Sequence, residues 1–250
     1  MPINRREVLK SAGRLAGAAA IVSTSHGATA EKLPRKLKFV VAGGHPGDPE
    51  YGCGGTIALL TALGHEVVLL YLNDGAWETS APVRIAEARK ACEILKARPQ
   101  WAGQANSHSI IDDAHYDAFL KMIEGENPDA VFNHWPVDNH PDHRAIANLM
   151  YESWNRLKRR FPMYYYEVSS GEDTMQFPVP THFVDITSVA DTKKSACYAH
   201  ASQNPSYFYE LQDSVGHFRG LECGHKRAEA YVLQVGSPFD IFPSAGLAAR

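Results

Sequence analysis

The hydrophobic positions along this chain form short unbroken runs that alternate with longer stretches of helical spacing. The unbroken runs predict buried strands at residues 37–43, 65–72, 129–135, 163–169, 181–187 and 229–234. Apolar residues spaced three or four apart predict helices at residues 56–64, 83–97, 115–128, 141–160, 189–201 and 207–219. Strands that are apolar throughout and alternate with helices form parallel sheets covered on both faces. We therefore expect an α/β fold: a Rossmann-like, mostly parallel sheet with helices on both faces.

The start of the chain has the layout of an export signal rather than of a domain. Arg5 and Arg6 precede a weakly apolar, alanine-rich stretch at residues 12–23, and Ala-Thr-Ala at residues 28–30 is a small-x-small cleavage site. The arginine pair favours a twin-arginine-type signal peptide over 1–30, which leaves a single domain over 31–250, exported to the periplasm or outside the cell. The alternative is an amphipathic first helix of the domain. No other stretch approaches membrane-spanning length, which predicts no integral membrane segment in the mature chain.

Composition and charge narrow the class of protein. The chain has 250 residues, 44% hydrophobic and 21% charged, which suffices for one sizeable core. Its 25 basic and 28 acidic residues become 21 and 27 when the predicted signal is removed, a net charge of −6. The one basic run, at residues 156–160, is typical of a helix end, so nothing indicates a nucleic-acid partner. The four cysteines lack C-x-x-C spacing, so neither a zinc ribbon nor a disulfide framework is indicated.

Two loops of the predicted sheet concentrate side chains that can bind or react. In parallel sheets, function lies in the loops beyond the carboxyl ends of the strands. The loop after the first predicted strand carries His45, Asp48 and Glu50, and residues 136–144, after the strand at 129–135, read PVDNHPDHR. Both loops are expected to open at the same edge of the sheet.

The glycine-rich segment at residues 43–55 admits two interpretations. A dinucleotide-binding turn requires G-x-G-x-x-G directly after the strand, so that bare backbone can approach a pyrophosphate. No spacing among these glycines gives that pattern, and a His-Pro pair and two acidic residues stand in its place. The segment therefore favours a metal site built from side chains.

Three side chains from the two loops suit a catalytic metal ion. Catalytic zinc takes three protein ligands and keeps one position open, and His nitrogen and Asp oxygen are ordinary ligands. His45 and Asp48 are three residues apart on one tight loop, and His143 from the second loop would complete the set. His140 would then face the substrate, and Asp142 could orient a histidine as a hydrogen-bond acceptor. We expect zinc, although iron or cobalt would suit the same ligands.

The same two loops resemble the motifs of a known family. HPGDPEYGCGGTIA (residues 45–58) and HWPVDNHPDHRA (residues 134–145) resemble the PIG-L/LmbE-like family of zinc-dependent deacetylases. The motifs of that family read His-Pro-Asp-Asp-x-Glu-x-x-x-Gly-Gly and His-Pro-Asp-His. The runs VRIAEARKACEIL and KKSACYAHASQ resemble flanking family patterns more weakly, and the resemblance covers most of the mature chain.

The resemblance implies an LmbE-like fold and removal of an acetyl group from an N-acetylated amino sugar or glycoconjugate, which is hydrolysis of a linear amide. It implies that His45, Asp48 and His143 are zinc ligands and that His140 assists the tetrahedral intermediate or the leaving amine. Zinc polarises the amide carbonyl and lowers the pKa of a water molecule, while a nearby carboxylate accepts the proton. The sequence names neither the sugar nor the oligomeric state.

One residue departs from the family pattern: Gly47 stands where the family has its general-base aspartate. Loss of a base costs about two to four orders of magnitude in rate. We expect Glu50 to replace it, with Asp74, Asp138 and Asp142 as other candidate acids; alternatively, Glu50 is a helix N-terminal carboxylate. For the function of the whole protein, the alternative is a catalytically weak or inactive metal-containing sugar-binding protein. Hydrolysis of another amide or ester is a third possibility.

Aromatic side chains and one further histidine complete the candidates. Trp135, beside the second motif, is better placed than Trp77 to offer an aromatic face to a sugar ring. The tyrosines at 164–166 are expected to pack within the sheet. His200, in the run shared with the family, either approaches the pocket or is a core histidine.

Overall fold

The structure, a computed structural model, describes residues 35–168 and 177–247, so the predicted export signal lies outside the described residues. The described elements follow in chain order as β1 (Lys38–Gly43), α1 (Asp48–Ala62), β2 (Glu66–Asn73), α2 (Ala81–Leu95), β3 (Arg98–Gln104), α3 (Asp113–Glu126), β4 (Ala130–His134), α4 (Pro141–Arg156), β5 (Met163–Tyr166), β6 (His182–Asp185), α5 (Ala190–Tyr198), α6 (Pro205–Cys223) and β7 (Ala228–Leu233). Within the described ranges, no helix combines the length and apolar character needed to cross a bilayer.

The described strands form one sheet in the order β3-β2-β1-β4-β5-β7-β6. β1 pairs in parallel with β2 and β4, and β3 and β5 extend the parallel part outward. β7 is antiparallel to both β5 and β6. This order confirms the predicted Rossmann-like, mostly parallel sheet.

Helices cover both faces of the sheet, and β1 shows why its sequence is apolar throughout. Phe39 and Val41 belong to one hydrophobic core, which includes side chains of α1, α2 and α5. Val40 and Ala42 belong to the other core, which includes side chains of α3 and α4. Because both faces are buried, neither set of alternating positions is polar.

The strand order brings the two motif loops together. β1 and β4 are adjacent and parallel, with Phe39 beside Ala130 and Val41 beside Phe132. From β1 the chain continues to β2 and β3 on one side, and from β4 it continues to β5 on the other. At such a switch point the loops leaving the two strands turn apart, which opens a crevice at the carboxyl ends.

Three features differ from the expected element pattern. α1 begins at Asp48, well before residue 56, with Asp48 and Glu50 in its first turn, where acidic side chains are favourable. α4 ends at Arg156, because Lys158 and Arg159 take left-handed backbone angles, with φ of 55° and 54°. The sequence pattern does not predict β3, a polar edge strand that contains a proline.

Candidate metal centre and its cavity

The loop after β1 folds back so that Asp48 faces His45. Asp48 Oδ2 accepts a hydrogen bond from the backbone N–H of His45 at 2.7 Å and lies 3.3 Å from His45 Nδ1. A Cβ atom on Gly44 would lie 2.8 Å from Cδ2 of His143, so only glycine allows this close approach. Gly47, which precedes α1, has a φ of 117°, a value that also favours glycine.

The loop after β4 brings a second histidine to the same carboxylate. His143 lies buried on the first turn of α4, with Nε2 3.2 Å from Asp48 Oδ2. His140 caps the N-terminus of α4, and its Nδ1 accepts a hydrogen bond from the backbone N–H of Asp142 at 3.2 Å. The His140 ring centroid lies 4.5 Å from that of His45 and 4.8 Å from that of His143.

Among the predicted ligands His45, Asp48 and His143, the two distances that join Asp48 to a histidine match the spacing of metal ligands. Ligand atoms at 2.0–2.1 Å from a tetrahedral zinc ion lie about 3.3–3.4 Å apart, and Asp48 Oδ2 lies 3.3 Å and 3.2 Å from the two imidazole nitrogens. The other ring nitrogens face carboxylates: His45 Nε2 lies 3.0 Å from Asp142 Oδ2, and His143 Nδ1 lies 3.1 Å from Asp138 Oδ1. Metal-binding histidines have such partners, so these residues offer the donors and hydrogen-bond partners that suit a divalent metal ion.

His134, which the sequence interpretation passed over, also reaches this centre. It is buried at the end of β4, its Nε2 lies 3.2 Å from Asp48 Oδ2, and its ring stacks on His143 at 3.9 Å. The same Nε2 accepts a hydrogen bond from the backbone N–H of Gly44 at 3.1 Å, which engages the lone pair that a metal would need. Its position at the end of a central strand was the available signal. Among the described residues, two overlapping donor groups have atoms within 4.8 Å of one another: His45, His140 and His143, and Asp48, His134 and His143. Neither group contains the predicted set of His45, Asp48 and His143 together.

The electrostatics of the centre favour a cation beside Asp48. Burial raises the pKa of Asp48, but the imidazoles of His143 and His45 outweigh burial and hold this pKa well below its usual value. Burial lowers the pKa of His143, but the carboxylates of Asp48 and Asp138 outweigh it and raise the pKa to about 10. Burial and the nearby His143 lower the pKa of His134 to about 4. Asp48 therefore stays ionised, and positive charge is stabilised around it.

Glu50 takes the capping position that the sequence left open as an alternative. Its fully buried carboxylate accepts hydrogen bonds from the Gly47 N–H at 3.1 Å and the Tyr71 hydroxyl at 2.7 Å, and lies 3.1 Å from His200 Nε2. Both oxygens are engaged inside the protein. Because Glu50 does not line the cavity beside the centre, this position gives no support to its predicted role as general base.

Asp142 lies 3.0 Å from His45 Nε2, a contact through which a carboxylate can orient a histidine ring. Besides its contact with His45, it accepts hydrogen bonds from Asn73 Nδ2 at 3.0 Å, Ser107 N–H at 2.8 Å and Ser109 Oγ at 2.7 Å. The loop after β3 therefore closes over this carboxylate, and Asp142 is buried. An aspartate with this many donors holds a histidine in place but has little room to accept a further proton.

A cavity of about 590 Å³ opens beside the donor set. Among the described residues that line it, Asp48 is the only carboxylate. Asp74 instead accepts a hydrogen bond from the Ala76 N–H at 2.9 Å, and Asp138 is engaged with His143. The walls away from the donor set include one cation, Arg84, which the sequence interpretation had not singled out as a site residue.

The aromatic residues are placed differently from the expectation. Trp77 lines the cavity, together with Tyr207 and Phe208 from the start of α6. Trp135, expected to be the best placed, packs against Tyr165 and Phe177 with ring centroids 5.3 Å and 6.3 Å away, and does not line the cavity. The tyrosines at 164–166 are buried in the sheet, as expected. His200 is buried and also lines the cavity, so it is a core histidine that approaches the pocket.

An α/β fold with clustered histidines and an aspartate at its switch-point loops defines a class of candidate metal-site proteins, and comparisons with known proteins point to one family. The family model described as PIG-L, GlcNAc-PI de-N-acetylase, matches residues 40–154. A diacetylchitobiose deacetylase of Thermococcus kodakarensis is 28% identical in an alignment that covers 80% of this chain and 84% of that protein. Residues 40–154 are therefore similar to the PIG-L (LmbE-like) family.

Two solved structures share the fold. The N,N'-diacetylchitobiose deacetylase of Pyrococcus horikoshii superposes with a TM-score of 0.69 at 23% identity, covering 83% of this chain and 90% of that one. The 4-carboxy-2-hydroxymuconate hydratase of Pseudomonas putida superposes with a TM-score of 0.66 at 22% identity, covering 82% and 97%. The same fold therefore carries more than one reaction, so the activity of this chain must be argued from its own site.

Proposed function

We propose that the protein is a metal-dependent hydrolase that removes an acetyl group from an N-acetylated amino sugar or glycoconjugate. The observation that carries the proposal is the pairing of His45 and His143: each faces Asp48 with one ring nitrogen and another carboxylate with the other. The deacetylase activity named for the relative from Thermococcus kodakarensis supports the choice of reaction.

In this proposal His45, Asp48 and His143 hold a zinc-type divalent ion, and iron or cobalt suits the same donors. When bound, such an ion polarises an amide carbonyl and lowers the pKa of a water molecule. Asp142 and Asp138 fix the orientation of the two histidine rings.

We assign to His140 the role of stabilising the negative charge that develops on the acetamide oxygen. Burial and the imidazoles of His45 and His143 lower the pKa of His140, so its ring is neutral at neutral pH. Because Nδ1 accepts the N–H of Asp142, the ring proton lies on Nε2. Nε2–H can therefore donate a hydrogen bond to an oxygen that gains charge, which is stabilisation of the oxyanion type.

The general base is the group in which this chain differs from the family pattern. Among the described residues that line the cavity, the sole carboxylate is the proposed ligand Asp48. We infer that no side chain takes the place of the aspartate missing at Gly47, so turnover is slower by about two to four orders of magnitude than with such a base. The same feature favours the second candidate, a metal-containing sugar-binding protein with little turnover.

Acetate release from a panel of N-acetylated amino sugars tests the proposal. The protein is loaded with zinc, cobalt or iron, and bound metal is measured in the same sample. We expect acetate from at least one sugar, and neither bound metal nor acetate with His143→Ala. His217→Ala, on the exposed surface, is the matched control. A folded, fully metallated protein that binds sugar without releasing acetate would establish the binding-protein alternative instead.

The Gly47→Asp variant measures how much a carboxylate at position 47 increases the rate of acetate release. A Cβ at this position meets only the Tyr51 ring, at 3.5 Å, but a φ of 117° strains any side chain, by about 1–3 kcal/mol. Gly47→Ala carries the same strain without a carboxylate and is the control. We expect Gly47→Asp to be faster than Gly47→Ala, whereas equal rates would mean that a carboxylate at this position does not act on the substrate.

We also propose that residues 1–30 direct export through a twin-arginine-type route and are then removed. The arginine pair and the small-x-small site support this. Protein recovered from a periplasmic fraction is expected to begin near residue 31. An intact leader on that protein would contradict the cleavage.

A further inference from the structure

The loop after β3 (the β3 loop, residues 105–110) is held closed by the side chain of Gln104, the last residue of the strand. Gln104 Oε1 accepts a hydrogen bond from the backbone N–H of Ile110 at 2.6 Å, and Gln104 Nε2 donates to the carbonyl oxygen of the same residue at 3.1 Å. The backbone N–H of His108 donates to the carbonyl oxygen of Ala105 at 3.2 Å, which forms a turn within the loop. The side-chain amide therefore joins the two ends of the β3 loop.

The closed β3 loop presents two hydrogen-bond donors to the buried carboxylate of Asp142. Ser107 donates its backbone N–H to Oδ2 at 2.8 Å, and Ser109 donates its hydroxyl to Oδ1 at 2.7 Å. Ser107 has a φ of 57°, a left-handed angle that is unfavourable for a residue with a side chain. Such an angle persists where the surrounding contacts fix it. The backbone of the β3 loop is therefore held in the shape that brings both donors to Asp142.

The two oxygens of the Asp142 carboxylate have different surroundings. Oδ2 faces His45 Nε2 and Asn73 Nδ2, each at 3.0 Å, in addition to the backbone donor from the β3 loop. Within the described residues, the hydrogen bond to Oδ1 comes from Ser109 alone. A carboxylate that is held by one oxygen rotates readily about its Cβ–Cγ bond, whereas a carboxylate held by both oxygens is fixed. The Ser109 hydroxyl therefore sets the rotation of the carboxylate that faces His45.

Hydrogen bonds connect the end of β3 to the candidate metal centre. Gln104 joins the ends of the β3 loop, and Ser109 of that loop bonds to Asp142. Asp142 faces His45, whose Nδ1 lies 3.3 Å from Asp48 Oδ2. Groups behind a metal ligand affect metal affinity because they fix the orientation of the ligand ring. Since a ring that is oriented in advance loses less freedom when it binds, closure of the β3 loop favours metal binding.

We propose that the β3 loop is a positioning element of the metal centre, in which Gln104 and Ser109 act through Asp142 on the orientation of His45. This inference rests on the metal-binding part of the proposed function. Neither Gln104 nor Ser109 is among the residues that line the cavity, so both are positioning residues that touch no substrate. β3, a polar edge strand that the sequence pattern does not predict, thereby contributes to the site through its last residue.

Zinc affinity, measured by competition with a chelator, tests the proposal. We expect Ser109→Ala and Gln104→Ala each to weaken zinc binding by about 3- to 10-fold, the equivalent of one hydrogen bond. Ser109→Thr keeps the hydroxyl and should bind zinc as tightly as the parent. Ser214→Ala is the matched control and should leave zinc affinity unchanged. Its hydroxyl also donates a hydrogen bond, to the carbonyl oxygen of Glu210 at 2.8 Å, but Ser214 is exposed on α6 and does not line the cavity.

A double-mutant cycle shows whether the β3 loop acts through Asp142. If it does, Ser109→Ala causes no further loss of zinc affinity in the Asp142→Ala background, because the carboxylate that Ser109 positions is already absent. Independent losses in the double variant would overturn the proposal. So would a Ser109→Ala variant whose metal-free form has a lower Tm but whose zinc affinity equals that of the parent. A parent that binds zinc but releases no acetate contradicts the hydrolase and leaves the proposal for the loop intact, whereas a parent that binds no zinc overturns both.

Discussion

Glu50→Gln separates a catalytic carboxylate from a capping one. Glu50 receives the Gly47 N–H on one oxygen, and the Tyr71 hydroxyl and the His200 ring lie against the other. Glutamine has one acceptor oxygen, so its amide N–H group must face one of these donors in a fully buried position. A buried donor left without an acceptor costs about 1–3 kcal/mol. For a domain of this size each 1 kcal/mol lowers Tm by about 2–4 °C, so we expect a fall of roughly 2–12 °C.

The assay pairs thermal unfolding of the metal-loaded protein with acetate release at a temperature where both forms are folded. Because Glu50 does not line the cavity, we expect the rate per folded molecule to fall less than about ten-fold, whereas loss of a general base costs about two to four orders of magnitude. Tyr71→Phe removes one donor to the same carboxylate and serves as the control. Unchanged Tm with a rate reduced more than a hundred-fold would refute the capping interpretation and make Glu50 the base.

Two further variants test the groups that support the centre and the fold. Asp142→Ala should weaken metal binding about 10- to 100-fold in a chelator competition, because His45 loses the acceptor that orients its ring; unchanged affinity would mean that Asp142 does not orient the ligand. Lys193→Met should destabilise the protein to urea by about 3–5 kcal/mol, because it leaves the buried Glu229 carboxylate, now 2.6 Å from the ammonium, without its cation. Arg156→Met, at a more exposed ion pair, is the control and should change the free energy of unfolding by less than about 1 kcal/mol. If both variants change it equally, the buried ion pair stabilises the protein no more than the exposed one.

The fold was predictable because the central strands are buried on both faces. β1 and β4 are short apolar runs, and the rule that function lies beyond their carboxyl ends was enough to place the two motif loops together. β3 escaped prediction because an edge strand that is largely polar has neither an unbroken apolar run nor regular alternation. The early start of α1 escaped because Gly52, Gly54 and Gly55 have low helix propensity, and tertiary packing overrides it.

The site was predictable only where local spacing decides the geometry. His45 and Asp48 share one turn. His143 lies on α4, and Pro141 in the sequence predicts where that helix begins. The convergence of these three side chains could therefore be inferred from the sequence. The role of His134 depends on a stack with His143 and on a backbone donor, Gly44, from the loop after β1. The hydrogen bond joins residues 90 positions apart, and no periodicity in the sequence predicts it.

The glycine at position 47 contributes to the cavity as well as to the turn into α1. Its N–H donates a hydrogen bond to the buried Glu50 carboxylate, as the N–H of any residue except proline could, and its φ of 117° favours glycine. The absent side chain also leaves Gly47 as part of the cavity lining, next to Tyr51. A side chain at position 47 would fill part of the cavity, because its Cβ would lie 3.5 Å from the Tyr51 ring. In the proposed hydrolase, the turn that lacks a carboxylate at position 47 therefore leaves space for a larger ligand beside the donor set.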